Sequence, residues 1–179
     1  MLKKRESDPY FQIALDLGEL DRAIKIAEEA VKGGVEWIEV GTPLIKSEGM
    51  NAIRTIYNKF PNRIIVADMK TVDGGSAEIE MAAKSGAKVV LMLGGSDNHS
   101  ITEAVEAAKK YGVMLGCDTI DIPSDKLIER ALELEELGVE MICAHVGVDQ
   151  QVIYGGEKTL DLTQRLKERL KPKTWLVTA

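Results

Sequence analysis

The sequence RIIVADMKTVDGG, from Arg63 to Gly75, decides how the rest of the chain is interpreted. It begins as a continuous apolar run and stops at two carboxylates, an amine and two glycines. A run of this kind predicts a buried strand with charged residues at its end. In parallel α/β proteins the strand ends project into a crevice where ligands bind. The stretch therefore predicts a strand that delivers charge to a site.

Short apolar runs rich in Val and Ile alternate with longer amphipathic segments on both sides of this stretch. Such alternation is typical of βα units that build a parallel sheet. The predicted strands start roughly 25–30 residues apart, as a repeated βα unit requires. They are Phe11–Asp16, Glu36–Val40, Arg63–Asp68, Lys88–Leu93, Val113–Cys117, Met141–His145 and Thr174–Thr178.

Helices are predicted between these strands, each followed by a glycine suited to the left-handed position after a helix. The segment from Ser100 to Glu103 has the form of a capping box, which predicts that a helix begins there. The predicted helices are Leu20–Val31 before Gly33, Gly75–Lys84 before Gly86, Ile101–Tyr111 before Gly112 and Asp125–Leu137 before Gly138.

Seven βα-type strands favour an α/β fold of the (β/α)8 TIM-barrel class. A doubly wound sheet is disfavoured, because no glycine fingerprint follows the first strand. The count is one strand short of eight, and the sequence stops at Ala179 within the last apolar run. We therefore expect a barrel truncated within its seventh strand. Residues 1–10 would form an N-terminal extension, and residues 11–179 a barrel domain that lacks its last strand and helices.

Composition narrows the class of partner. The net charge of the 179 residues is −6, and Lys and Glu are evenly scattered. Nucleic acids and anionic membranes require a dense basic face, so we expect neither as a partner and expect a small molecule instead. No apolar run approaches the roughly 18 residues of a membrane span. We expect a cytoplasmic protein in which Cys117 and Cys143 are buried thiols rather than a disulfide.

Alternation along the strand places Asp68 and Lys70 on the same face. The pair has two interpretations: an ammonium held beside a carboxylate at a reacting centre, or an ion pair that only caps the strand. In a barrel, polar residues that converge at the carboxyl ends of strands are expected to form the active site. Other predicted strands also end at polar residues, namely Asp16, Glu39, Asp118 and His145.

Glu39 and Asp68 lie on neighbouring predicted strands and suit Mg²⁺, which prefers oxygen ligands. Zinc is disfavoured, because only one histidine is well placed to bind it. This residue, His145, fits a proton-transfer role, with a packed and hydrogen-bonded histidine as the alternative. His99 is expected to be an exposed loop residue. Local sequence alone favours Asp73 as a turn residue before the next helix.

Four separated motifs resemble the orotidine 5′-phosphate decarboxylase superfamily, and within it the group of hexulose-phosphate synthases and 3-keto-L-gulonate-6-phosphate decarboxylases. The resemblance spans residues 11–179, with the motifs in the family's order. The Met-Lys-Thr form of the central motif favours the synthase branch. The motifs are ALD at 14–16, IEVGTPL at 38–44, ADMKTVD at 67–73 and AHVGVDQQ at 144–151.

The resemblance implies a homodimer of barrels with active sites at the subunit interface. It also implies a Mg²⁺-dependent aldol condensation of formaldehyde with D-ribulose 5-phosphate, or the reverse cleavage. By the motif match, Glu39 and Asp68 would hold the metal, which would stabilise an enediolate. Lys70 would add positive charge to that intermediate, and His145 would move the proton at C1.

Two further roles come from the resemblance. Asp16 would bind a substrate hydroxyl, and Asp73 would act in the partner's site, against the local expectation of a turn. The family's phosphate-binding loops would begin beyond Ala179. Two rival functions stay open: a 3-keto-L-gulonate-6-phosphate-type decarboxylase that uses the same enediolate, and an inactive barrel fragment that serves as a dimerisation or fusion module.

Overall fold

The computed structural model of the chain describes residues 9–154 and 157–178 as a curled parallel sheet surrounded by helices. The seven strands are hydrogen-bonded in chain order: β1 (Gln12–Leu15), β2 (Trp37–Val40), β3 (Ile64–Thr71), β4 (Val89–Leu93), β5 (Met114–Asp118), β6 (Met141–Ala144) and β7 (Trp175–Thr178). The helices are α1 (Leu20–Lys32), α2 (Thr42–Glu48), α3 (Met50–Lys59), α4 (Gly75–Lys84), α5 (Asn98–Tyr111), α6 (Leu127–Leu137), α7 (Val148–Tyr154) and α8 (Glu157–Arg169).

Three aromatic rings at the amino-terminal ends of the strands demonstrate the curl. Trp37 of β2 and Trp175 of β7 lie five strands apart in the sheet, yet their ring centroids are only 5.3 Å apart. Tyr10 packs on both rings, at 5.6 and 5.7 Å. The sheet must therefore wrap round on itself as a TIM barrel does, and the aromatic cluster fills its lower end.

Alternate residues of each strand face the two sides of the curled sheet. On β3, Val66 packs inside with Leu91 and Met114, whereas Ile65 and Ala67 pack outside against the helical layer. Both sides are apolar, as expected for a parallel sheet covered by helices. The inner apolar column stops at the carboxyl ends of the strands, where the inward-facing positions become polar.

The predicted strands are confirmed, six of the seven with bounds within one residue of those observed. The exception, β3, continues to Thr71. Helices α2, α3, α7 and α8 were not predicted. The capping box is wrong: Asp97 caps α5, accepting hydrogen bonds from the amides of His99 and Ser100. Gly33 is right-handed, and Gly34 takes the left-handed conformation instead.

Two observations concern membrane-spanning helices and the two cysteines. Among the described residues, no helix combines the length and apolar composition needed to cross a membrane. Cys117 and Cys143 are both free and buried, which confirms their prediction as thiols.

Glu135 of α6 fastens the segment that enters β7. Its buried carboxylate accepts hydrogen bonds from the amide of Lys171 at 2.8 Å and from the hydroxyl of Thr174. The ammonium of Lys171 lies 3.2 Å from the same carboxylate. This contact joins α6 to the segment between α8 and β7.

Replacing Glu135 by Gln is expected to lower the free energy of unfolding by roughly 1–3 kcal/mol, because buried donors lose a charged acceptor. Burial would raise the pKa of Glu135, but the contacts with Thr174 and Lys171 outweigh it and lower the pKa below 4.5. A carboxyl with a depressed folded pKa stabilises above its unfolded pKa and loses this contribution as the pH falls. In urea titrations, the difference from wild type should shrink below about pH 4. Exposed Glu136→Gln is the control, and a difference unaffected by pH would contradict the assignment.

Candidate active site

The inner face of the curled sheet ends in charged side chains. On β3, Asp68 continues the inward-facing series of Ile64 and Val66 and is buried. The pairing of β3 with β4 shifts between Asp68 and Thr71. Lys70 lies at this irregularity with φ 46°, a left-handed conformation that is uncommon for residues other than glycine. Such strained positions cluster at functional sites, where the surrounding structure fixes them.

The ammonium of Lys70 is held between two carboxylates. Its Nζ lies 2.9 Å from Oδ2 of Asp68 and 2.8 Å from Oδ2 of Asp118 on β5. Burial would lower the pKa of Lys70, but the two neighbouring carboxylates outweigh this effect and raise it. Lys70 is therefore a fixed positive charge, and it cannot serve as a base near neutral pH.

Asp118 links Lys70 to His145. Its Oδ2 lies 2.8 Å from Nδ1 of His145, and its Oδ1 accepts a hydrogen bond from the amide of Ile120 at 2.9 Å. Burial would raise the pKa of Asp118, but the contacts with His145 and Lys70 lower it below its usual value. An ionised Asp118 accepts a hydrogen bond from the protonated Nδ1 of His145, which leaves Nε2 of the imidazole to exchange protons.

A second set of carboxylates converges beside Asp68. Burial, followed by the negative charges of Asp68 and Asp16, raises the pKa of Glu39 to about 7, although Gln12 donates a hydrogen bond to Glu39. Burial and the charge of Asp68 also raise the pKa of Asp16. The three side chains therefore repel one another when all are ionised, and a bound cation would relieve this repulsion.

The donors at Glu39 and Asp68 fit a hard divalent cation. Thr42 Oγ1 lies 2.8 Å from both the backbone oxygen and Oδ2 of Asp68, which fixes the carboxylate. Within the described part of the chain, Oδ1 of Asp68 is buried and has no hydrogen-bond partner. A buried carboxylate oxygen without a donor is costly unless something else satisfies it, and a cation would do so.

A softer donor set lies nearby. The ligand atoms of Asp118, Cys143 and His145 lie within 4.8 Å of one another. Oδ2 of Asp118 is already shared by Lys70 and His145, however, and burial raises the pKa of the Cys143 thiol well above its usual value. The oxygen ligands Glu39 and Asp68 are therefore the better candidates for a metal.

Two of the residues singled out from the sequence lie apart from this cluster. Asp73 is exposed, and its Oδ1 accepts a hydrogen bond from the amide of Gly74 at 2.7 Å. That is the turn geometry expected on local grounds. His99 is exposed as predicted, although it lies in the first turn of α5 rather than in a loop.

Asp118 was predicted from the sequence as a strand-end residue without a role, and the sequence indicated no role for Gln12, Thr42 or Thr119. The signal for Asp118 was its place in the strand-end series. Its role depends on partners 48 and 27 residues away in the chain. The supporting residues carry no motif, because their contacts arise only once neighbouring strands are in register.

Comparison with known proteins identifies the family and the fold. The family model described as "Orotidine 5′-phosphate decarboxylase / HUMPS family" matches residues 9–175. A 3-hexulose-6-phosphate synthase from Bacillus subtilis is 35% identical over 89% of this chain and 74% of its own. The crystal structure of 3-hexulose-6-phosphate synthase from Salmonella typhimurium matches with a TM-score of 0.85 at 34% identity, covering 94% of this chain and 77% of that one.

The related decarboxylases also match. A crystal structure of KGPDC (3-keto-L-gulonate-6-phosphate decarboxylase) from Streptococcus mutans in complex with D-R5P has a TM-score of 0.78 at 25% identity. The match covers 89% of this chain and 74% of that one. These neighbours confirm the TIM-barrel class predicted from the strand pattern. The chain belongs to the orotidine 5′-phosphate decarboxylase / HUMPS family.

Proposed function

We propose that this chain is the catalytic barrel of a Mg²⁺-dependent aldolase of the 3-hexulose-6-phosphate synthase type. It joins formaldehyde to D-ribulose 5-phosphate, or catalyses the reverse cleavage, through an enediolate. The observation that carries the proposal is the ammonium of Lys70, fixed between Asp68 and Asp118 beside His145. The names of the relatives at 35–39% identity support the substrate class.

Glu39 and Asp68 are the residues that would hold Mg²⁺. The bound ion would supply Lewis-acid stabilisation for oxygen atoms that gain negative charge. The orphaned Oδ1 of Asp68 and the raised pKa of Glu39 support this assignment. We expect bound Mg²⁺ to lower the pKa of Glu39, because a nearby cation favours the charged carboxylate.

His145 provides the base and Lys70 the fixed charge. Held by Asp118 at Nδ1, His145 removes a proton from C1 of the sugar through Nε2, and the electron pair moves towards the C2 oxygen. Lys70 stabilises the negative charge that develops there. As C1 forms the bond to the carbon of formaldehyde, the C1–C2 double bond of the enediolate opens and the C2 carbonyl forms again. The oxygen of formaldehyde takes the proton from Nε2 of His145 and becomes a hydroxyl group. Asp16 would accept a hydrogen bond from a sugar hydroxyl and so orient the substrate.

We further propose that the protein is a homodimer in which Asp73 reaches the partner's site. The turn that carries Asp73 is exposed, and Val72 beside it is 57% exposed, so this surface is open to contact with a partner subunit. Mixing inactive Lys70→Ala and Asp73→Ala proteins tests this arrangement, because hybrid dimers would contain one intact site. The free thiols Cys117 and Cys143 support action in the reducing cytoplasm.

The deciding experiment is an assay of formaldehyde consumption by the protein with Mg²⁺ and ribulose 5-phosphate. Formaldehyde should disappear as a hexulose phosphate forms, and EDTA should stop the reaction. Release of CO₂ from 3-keto-L-gulonate 6-phosphate without formaldehyde consumption would instead support the decarboxylase, which the KGPDC likeness makes the second candidate. A folded dimer that does neither would support the inactive-module reading.

Gly41→Ala is expected to weaken sugar binding through Asp16. Gly41 has ordinary backbone angles, but an added Cβ would lie 2.1 Å from Oδ1 of Asp16 and 2.8 Å from the backbone oxygen of Leu15. Displacing a charged hydrogen-bond partner costs about 1.5–3 kcal/mol, or roughly ten- to a hundredfold in KM for the sugar phosphate. Gly18→Ala is the control, because its Cβ would meet only Ser47 Oγ at 3.8 Å. An unchanged KM in Gly41→Ala would remove Asp16 from the site.

A further inference from the structure

The sheet ladder between β5 and β6 breaks at His145. Where the two strands end, the amide of Thr119 still donates to the backbone oxygen of Cys143 at 3.1 Å, as a parallel ladder requires. The regular next bond would run from the amide of His145 to the backbone oxygen of Thr119. That oxygen instead accepts a hydrogen bond from Ile122 at 3.0 Å, because the chain after β5 turns away.

The side chain of Thr119 replaces the missing ladder bond. Its hydroxyl accepts from the amide of His145 at 3.2 Å and donates to the backbone oxygen of Cys143 at 3.0 Å. Thr119 is only 1% exposed, so water cannot readily take over either bond. One hydroxyl thus joins the end of β5 to the two residues on either side of Ala144.

Packing alone does not hold the His145 loop. A cavity of about 160 Å³ lies against the residues that follow β5 and β6. The cavity is partly open to solvent, so the loop borders space into which it can shift. Its lining includes Thr119, His145, Val146, Ile120, Leu127 and Leu162. The hydroxyl bridge is therefore a main restraint on the backbone of His145.

We propose that Thr119 is a positioning residue of the active site, which sets His145 at the correct distance from Asp118. The inference rests on the function proposed above, in which His145 moves the proton at C1. Thr119 directly follows Asp118 in the chain, and its hydroxyl bonds to the backbone of Cys143 and His145, so it couples the two segments that carry the partners of the 2.8 Å contact. The residue itself takes no part in proton transfer.

The test is Thr119→Val, which keeps the shape of the side chain and removes the hydroxyl. We expect kcat to fall roughly ten- to a hundredfold, the range expected when a catalytic group is displaced by about 1 Å. KM for ribulose 5-phosphate should stay within about twofold, since sugar binding does not depend on the imidazole. Thr119→Ser, which restores the hydroxyl, should recover most of the lost kcat.

Thr174→Val is the matched control. Thr174 is also a buried threonine, but its hydroxyl donates to the carboxylate of Glu135 and it lies at the opposite end of the strands. It should lose stability and keep kcat. The imidazole NMR signals of His145, assigned with a His99→Gln variant, should shift in Thr119→Val and stay in place in Thr174→Val.

The outcomes separate the two proposals. If the wild-type protein consumes no formaldehyde, the proposed function fails, and the imidazole signals still decide whether Thr119 positions His145. If the wild type is active and Thr119→Val retains its kcat and imidazole signals, the positioning role is overturned. Should Thr119→Val not fold, the pair Thr119→Ala and Thr119→Ser replaces it, and equal kcat values in those two would overturn the role as well.

Discussion

Lys70→Ala is expected to reduce kcat/KM by roughly 10²–10³-fold or more, the usual loss when one preorganised donor to a developing oxyanion is removed. The ammonium is fixed by two carboxylates before substrate arrives, so it costs no reorganisation during the reaction. Its removal also leaves Asp68 and Asp118 without their shared cation. The developing charge at the C2 oxygen would then face unpaired negative charge.

Two measurements make this prediction specific. Exchange of the C1 proton of ribulose 5-phosphate in D₂O requires the enediolate but no formaldehyde, so it should slow by a factor similar to turnover. The control is Lys84→Ala, which removes an exposed lysine that pairs with Glu80 on α4. Normal proton exchange in Lys70→Ala would show that the ammonium does not stabilise the enediolate.

The alternation of residues along β3 predicted the correct neighbours for Lys70 only in part. Parity placed Asp68 and Lys70 on one face, and their 2.9 Å contact agrees with it. The strand is irregular at this point, however, and Lys70 adopts φ 46°. Its contact with Asp118 spans two strand spacings, from β3 to β5, and depends on the curl of the sheet. Alternation within one strand contains no information about either feature.

The strands were predictable because a buried parallel strand must be apolar on both faces. Helix α2 was not predicted, because it begins directly after Gly41 with Thr42 and Pro43, where the sequence resembles a loop. Helix α3 was not predicted either. The start of α5 was misplaced because the capping-box pattern points to Ser100 as the cap. The cap is Asp97, whose carboxylate accepts hydrogen bonds from two backbone amides at the start of the helix. The capping-box rule selected Ser100 and overlooked Asp97 as the cap.

Long-range contacts account for the rest. Thr42 follows β2 and bonds to Asp68 on β3, and Thr119 follows β5 and bonds to His145 directly after β6. A threonine after a strand is common, and only the register between strands distinguishes these two from others. Residues with ionisable side chains could therefore be proposed from the sequence, whereas the residues that hold them in place required the structure.

Asp118→Asn should cause the second large loss, about 10³-fold in kcat, within the range attributed to general acid–base catalysis. An asparagine keeps the size of the side chain and can still accept from the amide of Ile120 through Oδ1. Its Nδ2 would replace the oxygen that accepts from both Lys70 and His145. A donor would then face the ammonium, and the imidazole would no longer be held with its proton on Nδ1.

The control and the pH dependence separate this role from a general loss of structure. Asp121→Asn alters an exposed aspartate three residues away that accepts from the amide of Gly95, and it should keep normal turnover. The pKa of Asp118 is depressed, so its carboxylate stabilises the fold above its unfolded pKa and loses that contribution as the pH falls. Wild type and Asp118→Asn should therefore converge in stability at acidic pH and differ most near neutrality. If Asp118→Asn turns over normally at neutral pH, Asp118 does not hold the catalytic base, and the link between Lys70 and His145 serves the fold alone.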